Sequence, residues 1–192
     1  CKFGSDKPSE DTLRLTLLYT PGGDVDRYPD QFTQDWGRHN FVYALYGHEG
    51  SWQNGLTQQK ARRLNQPIRA FTAGQHSGSI GKEFSMLNIN TSQVALRAMK
   101  KAEKGGWTIL RFQELFGKDT GEAVFDSALD ISDAREVDGQ ENIIGDAKIR
   151  DGKLHFNLKR NGIRSFAVKF ANAMEEKIHR SSKKVELAFN TK

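Results

Sequence analysis

An antiparallel all-β sandwich is the fold class this sequence predicts, and three observations predict it. Apolar and polar residues alternate with a period of two along several short runs, which turns one face of each strand inward. Asx-Gly and Gly-Gly dipeptides fall between those runs, where tight turns require positive φ angles. Short strands separated in this way by turns read as two packed sheets.

The elements follow in order. Leu13, Leu15 and Leu17 form the first alternating run, and Pro21-Gly22-Gly23 ends it. From Thr20 to Trp36 the chain shows no periodicity, and long loops inside domains are usually functional or disordered. Phe41, Tyr43 and Leu45 make a second run. Gly55 to Asn65 is rich in Gln, Lys, Arg and Leu and predicts two or three helical turns stopped before Pro67, although Leu56 and Leu64 make a poor apolar stripe. Gly74 to Gly81 is a Gly-rich connection without the Lys-Ser or Lys-Thr of a phosphate loop, and Lys82-Glu83-Phe84 begins the next strand. Alternation returns at Ala123, Phe125, Ser127, Leu129 and Ile131, at Leu154, Phe156 and Leu158, and at Phe166, Val168 and Phe170. Lys104-Gly105-Gly106, Asp138-Gly139, Asp151-Gly152 and Asn161-Gly162 mark the turns, and Asp151-Gly152 is the clearest hairpin. A short helix over 172–179 and a last strand over 185–189 complete the reading. Leu15, Tyr43, Leu96, Leu110, Phe125, Phe156 and Phe166 are the expected core.

Composition removes several classes. Hydrophobic content of 36% suits sheets with one wet face, in a chain of 192 residues. No run approaches the ~20 apolar residues that span a bilayer. A single cysteine rules out an intrachain disulfide and leaves the compartment open, cytoplasmic or exported. The formal charge of +5 raises nucleic acid as a partner, but the basic residues are scattered and join no RNA-binding aromatic signature, so none is expected. The five histidines show none of the spacings that hold metals. His155 alternates outward and is expected to be exposed. Asp24, Asp26, Asp30 and Asp35 read as solvated loop chemistry rather than as an acid and nucleophile pair. No catalytic residue is assigned. Trp36, Arg38 and His39 remain as candidates for substrate contact or a domain interface, because they bring an aromatic, a guanidinium and an imidazole within four positions.

Several strings, in order, resemble the region after the catalytic domain in alpha-mannosidases of glycoside hydrolase family 38. Asp35-Trp36-Gly37-Arg38-His39-Asn40-Phe41-Val42-Tyr43-Ala44-Leu45-Tyr46-Gly47-His48 is similar to D-x-G-R-H-E-F-x-Y-A-L-x-P-H, departing at Asn40 and Gly47. Leu13 to Leu18 is similar to L-R-L-S-L-L, and Leu64 to Ala70 to L-N-x-P-L-x-A. Val94 to Glu103 resembles V-x-L-x-A-L-K-K-A-E, Ile109 to Phe112 an L-R-F string, and Arg164 to Lys169 the closing R-T-F-A-L-K. The resemblance implies a supersandwich of the galactose-mutarotase-like kind with one or two short helices. It further implies that residues 1–192 are a single C-terminal β-sandwich fragment, cut at both ends, of a retaining alpha-mannosidase. Cys1-Lys2-Phe3-Gly4 resembles the end of a family string, which favours a start inside the domain over a processed lipoprotein terminus.

On this reading the fragment is inactive alone and supports and partly closes the active site. Its expected partners are an N-terminal catalytic domain of the same polypeptide, where zinc and the catalytic carboxylates reside, and alpha-mannoside glycans. The fragment itself is expected to hold no cofactor. The alternatives are a free-standing carbohydrate-binding β-sandwich without an enzymatic parent, and a basic interaction module. Linkage specificity, oligomeric state and the contacts with the catalytic domain have no signal in the sequence.

Overall fold

The computed structural model describes residues 4–18, 37–75, 77–78 and 83–171, and its contacts divide the chain into two units, Cys1–Gly47 and His48–Lys192. The irregular stretch through Trp36 with its four aspartates, the helix expected over 172–179 and the strand expected over 185–189 lie outside the described residues.

In the first unit, β1 (Ser5–Ser9) and β2 (Thr12–Leu15) pair antiparallel, with Asp6 opposite Arg14. That register sets a two-pronged contact, Arg14 Nε to Asp6 Oδ1 at 2.9 Å and Nη2 to Oδ2 at 2.5 Å. At the turn the Asp11 carboxylate accepts from Ser9 Oγ and Thr12 Oγ1, and these hydroxyls hold it below the usual aspartate range. Leu15 and Tyr43 are 48% and 62% exposed, which corrects their placement in the core. Alternation marks which residues share a face, but Leu15 lies on a two-stranded hairpin and Tyr43 on no strand, and neither is covered by a second sheet among the described residues of its unit. The segment 38–47 enters no ladder among the described residues.

The second unit is the sandwich. One sheet takes β3 (Leu87–Ile89), β6 (Ala123–Ser127), β10 (Lys153–Phe156) and β9 (Lys148–Arg150) in the order β3-β6-β10-β9. The other takes β4 (Val94–Lys101), β5 (Thr108–Glu114), β11 (Ile163–Phe170), β7 (Ile131–Val137) and β8 (Ile143–Asp146) in the order β4-β5-β11-β7-β8. Every ladder is antiparallel. Registers line up the alternating residues: Leu154 stands opposite Phe125, and Phe166 opposite both Leu110 and Glu136.

Between the sheets lie Leu110, Phe112, Phe125, Leu154, Phe156, Phe166 and Val168, all buried. Phe112 centres an aromatic group, 4.5 Å from Phe156, 5.4 Å from Phe125 and 6.1 Å from Phe166, ring centroid to ring centroid. Pairs at such spacing add about 0.5–1.5 kcal/mol each beyond the area they bury. Leu110, Phe125, Phe156 and Phe166 thus occupy the expected core, with Leu96 half-buried at its edge.

The helix α1 (Thr57–Asn65) forms where the composition predicted it, yet it buries no residue. Polar groups anchor it instead. Gln59 Nε2 donates to the Ser92 carbonyl at 2.6 Å, Gln58 Nε2 to Leu115 at 3.1 Å and Arg62 Nη1 to Leu96 at 3.3 Å. Arg62 thereby occupies a carbonyl of β4, an edge strand whose unpaired groups otherwise invite another chain. The weak apolar stripe is explained: this helix seals an edge rather than filling a core.

Asp151-Gly152 forms the β9–β10 hairpin, with φ of 49° and 69°. A Cβ on Gly152 would also lie 1.8 Å from Asp130 Oδ1. Gly152→Ala is therefore expected to lower stability by about 1–2 kcal/mol, through left-handed strain and displacement of Asp130, as read by urea unfolding. An unchanged midpoint would show that the turn relaxes freely.

Candidate functional site

Arg38 and His39 follow Gly37, whose φ of 128° suits glycine alone, and both are exposed. His39 shares a side with Phe41, and their rings stack at 6.0 Å with 18° between planes. Trp36 lies outside the described residues. Like Arg38 and His39, Phe41, Tyr43 and Leu45 in the same segment are exposed.

The polar chemistry of the sandwich lies elsewhere, and its centre is Glu114. At the inward position after Leu110 and Phe112, it is 1% exposed. Its carboxylate accepts from the Phe116 N–H at 2.5 Å, Gly117 N–H at 2.9 Å, Asn161 N–H at 2.8 Å and Gln93 Nε2 at 3.1 Å. Burial pushes its pKa up, but the N–H donors of Asn161 and Phe116, with Gln93 and Gly117, outweigh burial and hold it below the ordinary 4.5. Asp119 stitches the same end, receiving Lys159 Nζ and the Arg160 N–H, both at 2.9 Å, and these donors lower its pKa.

A second group forms on the other sheet around Glu122. Lys148 Nζ lies 3.2 Å from it, His155 Nδ1 3.4 Å and Arg150 Nη1 3.9 Å. Lys148, followed by His155, holds the Glu122 carboxyl below its ordinary range. The His155 side chain is only 14% exposed, which corrects the expectation of an exposed histidine. It does face out of the core, as alternation requires, but its ionic neighbours cover it. Arg164 makes a third grouping: Nε and Nη2 meet the two Glu136 oxygens at 2.7 and 2.5 Å, and Nη1 reaches the Asn157 carbonyl at 2.9 Å. That last contact joins the two sheets.

Among the described residues, hydrogen bonds hold the carboxyls of Asp11, Glu114, Asp119, Glu122, Asp138 and Glu141 below their ordinary range. Groups tuned this way stay ionised at neutral pH and act as fixed acceptors, whereas a general acid for glycoside cleavage needs its pKa raised. Among the described residues no three of His, Cys, Asp and Glu converge to hold a metal ion.

Comparison with known proteins agrees with the architecture. Residues 93–166, from the β3–β4 connection into β11, match the glycosyl hydrolases family 38 C-terminal beta sandwich domain. The chain is 34% identical over 120 residues to Alpha-mannosidase 2C1 of Homo sapiens, covering 61% of this chain and 11% of that protein. It is 28% identical over 170 residues to Alpha-mannosidase 2C1 of Mus musculus, covering 86% of this chain and 15% of the relative. Alpha-mannosidase G of Dictyostelium discoideum is 28% identical over 118 residues, 61% of this chain and 10% of its own length. Over these stretches the chain is similar to the C-terminal beta sandwich of the family 38 glycosyl hydrolases, with residues 93–166 carrying the family match. The matched stretches span only about a tenth to a seventh of the relatives.

Sequence reasoning missed Glu114, although a signal existed: a carboxylate stands at the inward phase of an alternating run, three residues before Gly117. Replacing it by Gln is expected to cost about 3 kcal/mol at neutral pH, because an amide turns one acceptor into a donor facing buried N–H groups. The wild-type contribution should be complete above pH 4.5 and fade as pH falls through the lower folded-state value. Urea unfolding at neutral and acid pH should therefore show a large gap that narrows in acid. An equal gap at both pH values would contradict the assignment.

Proposed function

We propose that the chain is a non-catalytic C-terminal region of a retaining alpha-mannosidase, which supports and partly closes the active site of a catalytic domain in the same polypeptide. The observation that carries this reading is the family 38 sandwich match across β4 to β11. The short share of each relative that is matched leaves room for a separate catalytic domain. On this reading residues 1–192 act together as one accessory region, and alpha-mannoside glycans are the substrates of the whole enzyme. On the same reading zinc resides in the catalytic domain of the parent enzyme and this region holds none.

Within that reading, Trp36, Arg38 and His39 are the residues that meet the catalytic domain or the sugar. Exposed aromatic and aliphatic side chains at 41, 43 and 45 support this, since contiguous exposed apolar surface marks interaction sites. Arg38 and His39 supply hydrogen-bond donors for sugar hydroxyls or for carboxylates across the seam.

Two measurements test the reading. The purified 192-residue chain, supplied with zinc and an aryl α-mannoside, is expected to show no turnover above buffer; zinc-dependent hydrolysis would overturn it. In the full-length polypeptide, Arg38→Ala or His39→Ala is expected to lower kcat/KM about tenfold, the loss of one charge-assisted hydrogen bond, with the melting temperature of the sandwich unchanged. Wild-type kinetics in both variants would remove these two residues from the active-site seam.

A further inference from the structure

The β4–β5 and β7–β8 hairpins leave opposite halves of the five-stranded sheet and meet over its outer face. They enclose a cavity of about 260 Å³. Its floor is the second apolar cluster, in which Ile109, Val137 and Ala167 are buried although they point away from the sandwich core. Trp107 forms a wall, with the Lys169 ammonium 4.4 Å from its ring centroid. Gln140 and Asn142 stand on the rim.

The two hairpins are held rigidly together. Glu141 adopts a positive φ of 69°, unusual for a residue with a side chain, and its carboxylate meets Lys100 Nζ and the Glu103 N–H, the latter at 2.9 Å. In the same loop the Asp138 carboxylate takes the Gln140 N–H at 2.8 Å, the Asn142 N–H at 2.9 Å and Asn142 Nδ2 at 3.0 Å. Backbone strain sustained by surrounding contacts recurs where a binding geometry must be kept. At the mouth Glu141 pairs with Lys100 and Arg135 with Asp133 at 2.7 Å, Glu103 and Lys104 add one charge of each sign, and Lys169 lies over the indole ring.

An apolar floor, an indole wall, two carboxamides and charges of both signs select a neutral ligand with one apolar face and several hydroxyls. We propose that this cavity is a carbohydrate-binding site that takes a single hexopyranose unit. The ring lies on the apolar floor beside Trp107, and the Gln140 and Asn142 amides each donate to one hydroxyl and accept from another. The proposal is independent of the seam at Arg38 and His39 and of the accessory role, so each can fail alone.

The test is titration of the ¹⁵N-labelled chain with methyl α-D-mannopyranoside, methyl α-D-glucopyranoside and N-acetylglucosamine, with glycerol as the control. At least one sugar should give saturable shifts, with a Kd of about 1–10 mM, at the Trp107 indole N–H and at the amides of Gly105, Gln140 and Asn142. Gln140→Ala removes only a rim side chain. It should weaken that binding at least about fivefold, the loss of a single hydrogen bond, without moving the melting temperature. Absence of saturable shifts up to about 50 mM, equal shifts with glycerol, shifts centred elsewhere, or unchanged binding by Gln140→Ala would each overturn the proposal.

Discussion

One buried carboxylate governs how the two sheets are joined. Three connections pass between the sheets at one end of the sandwich, β3 to β4, β5 to β6, and β10 to β11, and each sends a donor to Glu114. Without that acceptor, the N–H groups of Phe116, Gly117 and Asn161 would lose their shared partner, at a cost of about 1–3 kcal/mol for each one left buried and unpaired. A hydrophobic residue would fill the volume but could not order three loops at once. Burial alone opposes the charge; the donors reverse that opposition and make the charged form the stable one.

The rest of the sandwich is arranged around this tie. Phe112, two residues before Glu114 on the same strand, centres the aromatic group that fills the space between the sheets. Arg164 adds a second tie across the gap, meeting Glu136 within its own sheet and the Asn157 carbonyl just beyond β10. Helix α1 seals the edge at β4 with side-chain amides and a guanidinium. The result is a sandwich whose connecting loops are tied to the sheets by side-chain hydrogen bonds. The same fixing of loops produces the cavity beside Trp107, where Glu141 holds two hairpins against each other.

The legible parts of the fold were those that local chemistry decides. Asp151-Gly152 declared a hairpin because that dipeptide alone supplies two positive φ angles cheaply, and both angles are present. Phe125, Phe156 and Phe166 were placed correctly because alternation fixes which face is apolar. Leu15 and Tyr43 were misplaced because alternation cannot say whether a second layer covers that face. His155 was misjudged for a related reason: facing outward does not prevent neighbouring charges from covering a side chain. Of the candidate site, Arg38 and His39 are exposed, their contact with sugar or with another domain is a proposal, and Trp36 lies outside the described residues. The hairpin cavity was invisible because its parts come from turns far apart in sequence that meet only across the sheet.

Native-state hydrogen exchange tests the central role of Glu114 most directly. If the carboxylate joins three connections, the amides of Phe116, Gly117 and Asn161 exchange together, through the same opening as the core amides of Leu110 and Phe166. As pH falls through the carboxylate's folded-state value, which lies below 4.5, those three should lose protection as a group, ahead of the core, after correction for the intrinsic rate. Exchange of the three at unrelated rates, or at rates insensitive to acid, would contradict the account, because the loops would then be held by something other than the charge on Glu114.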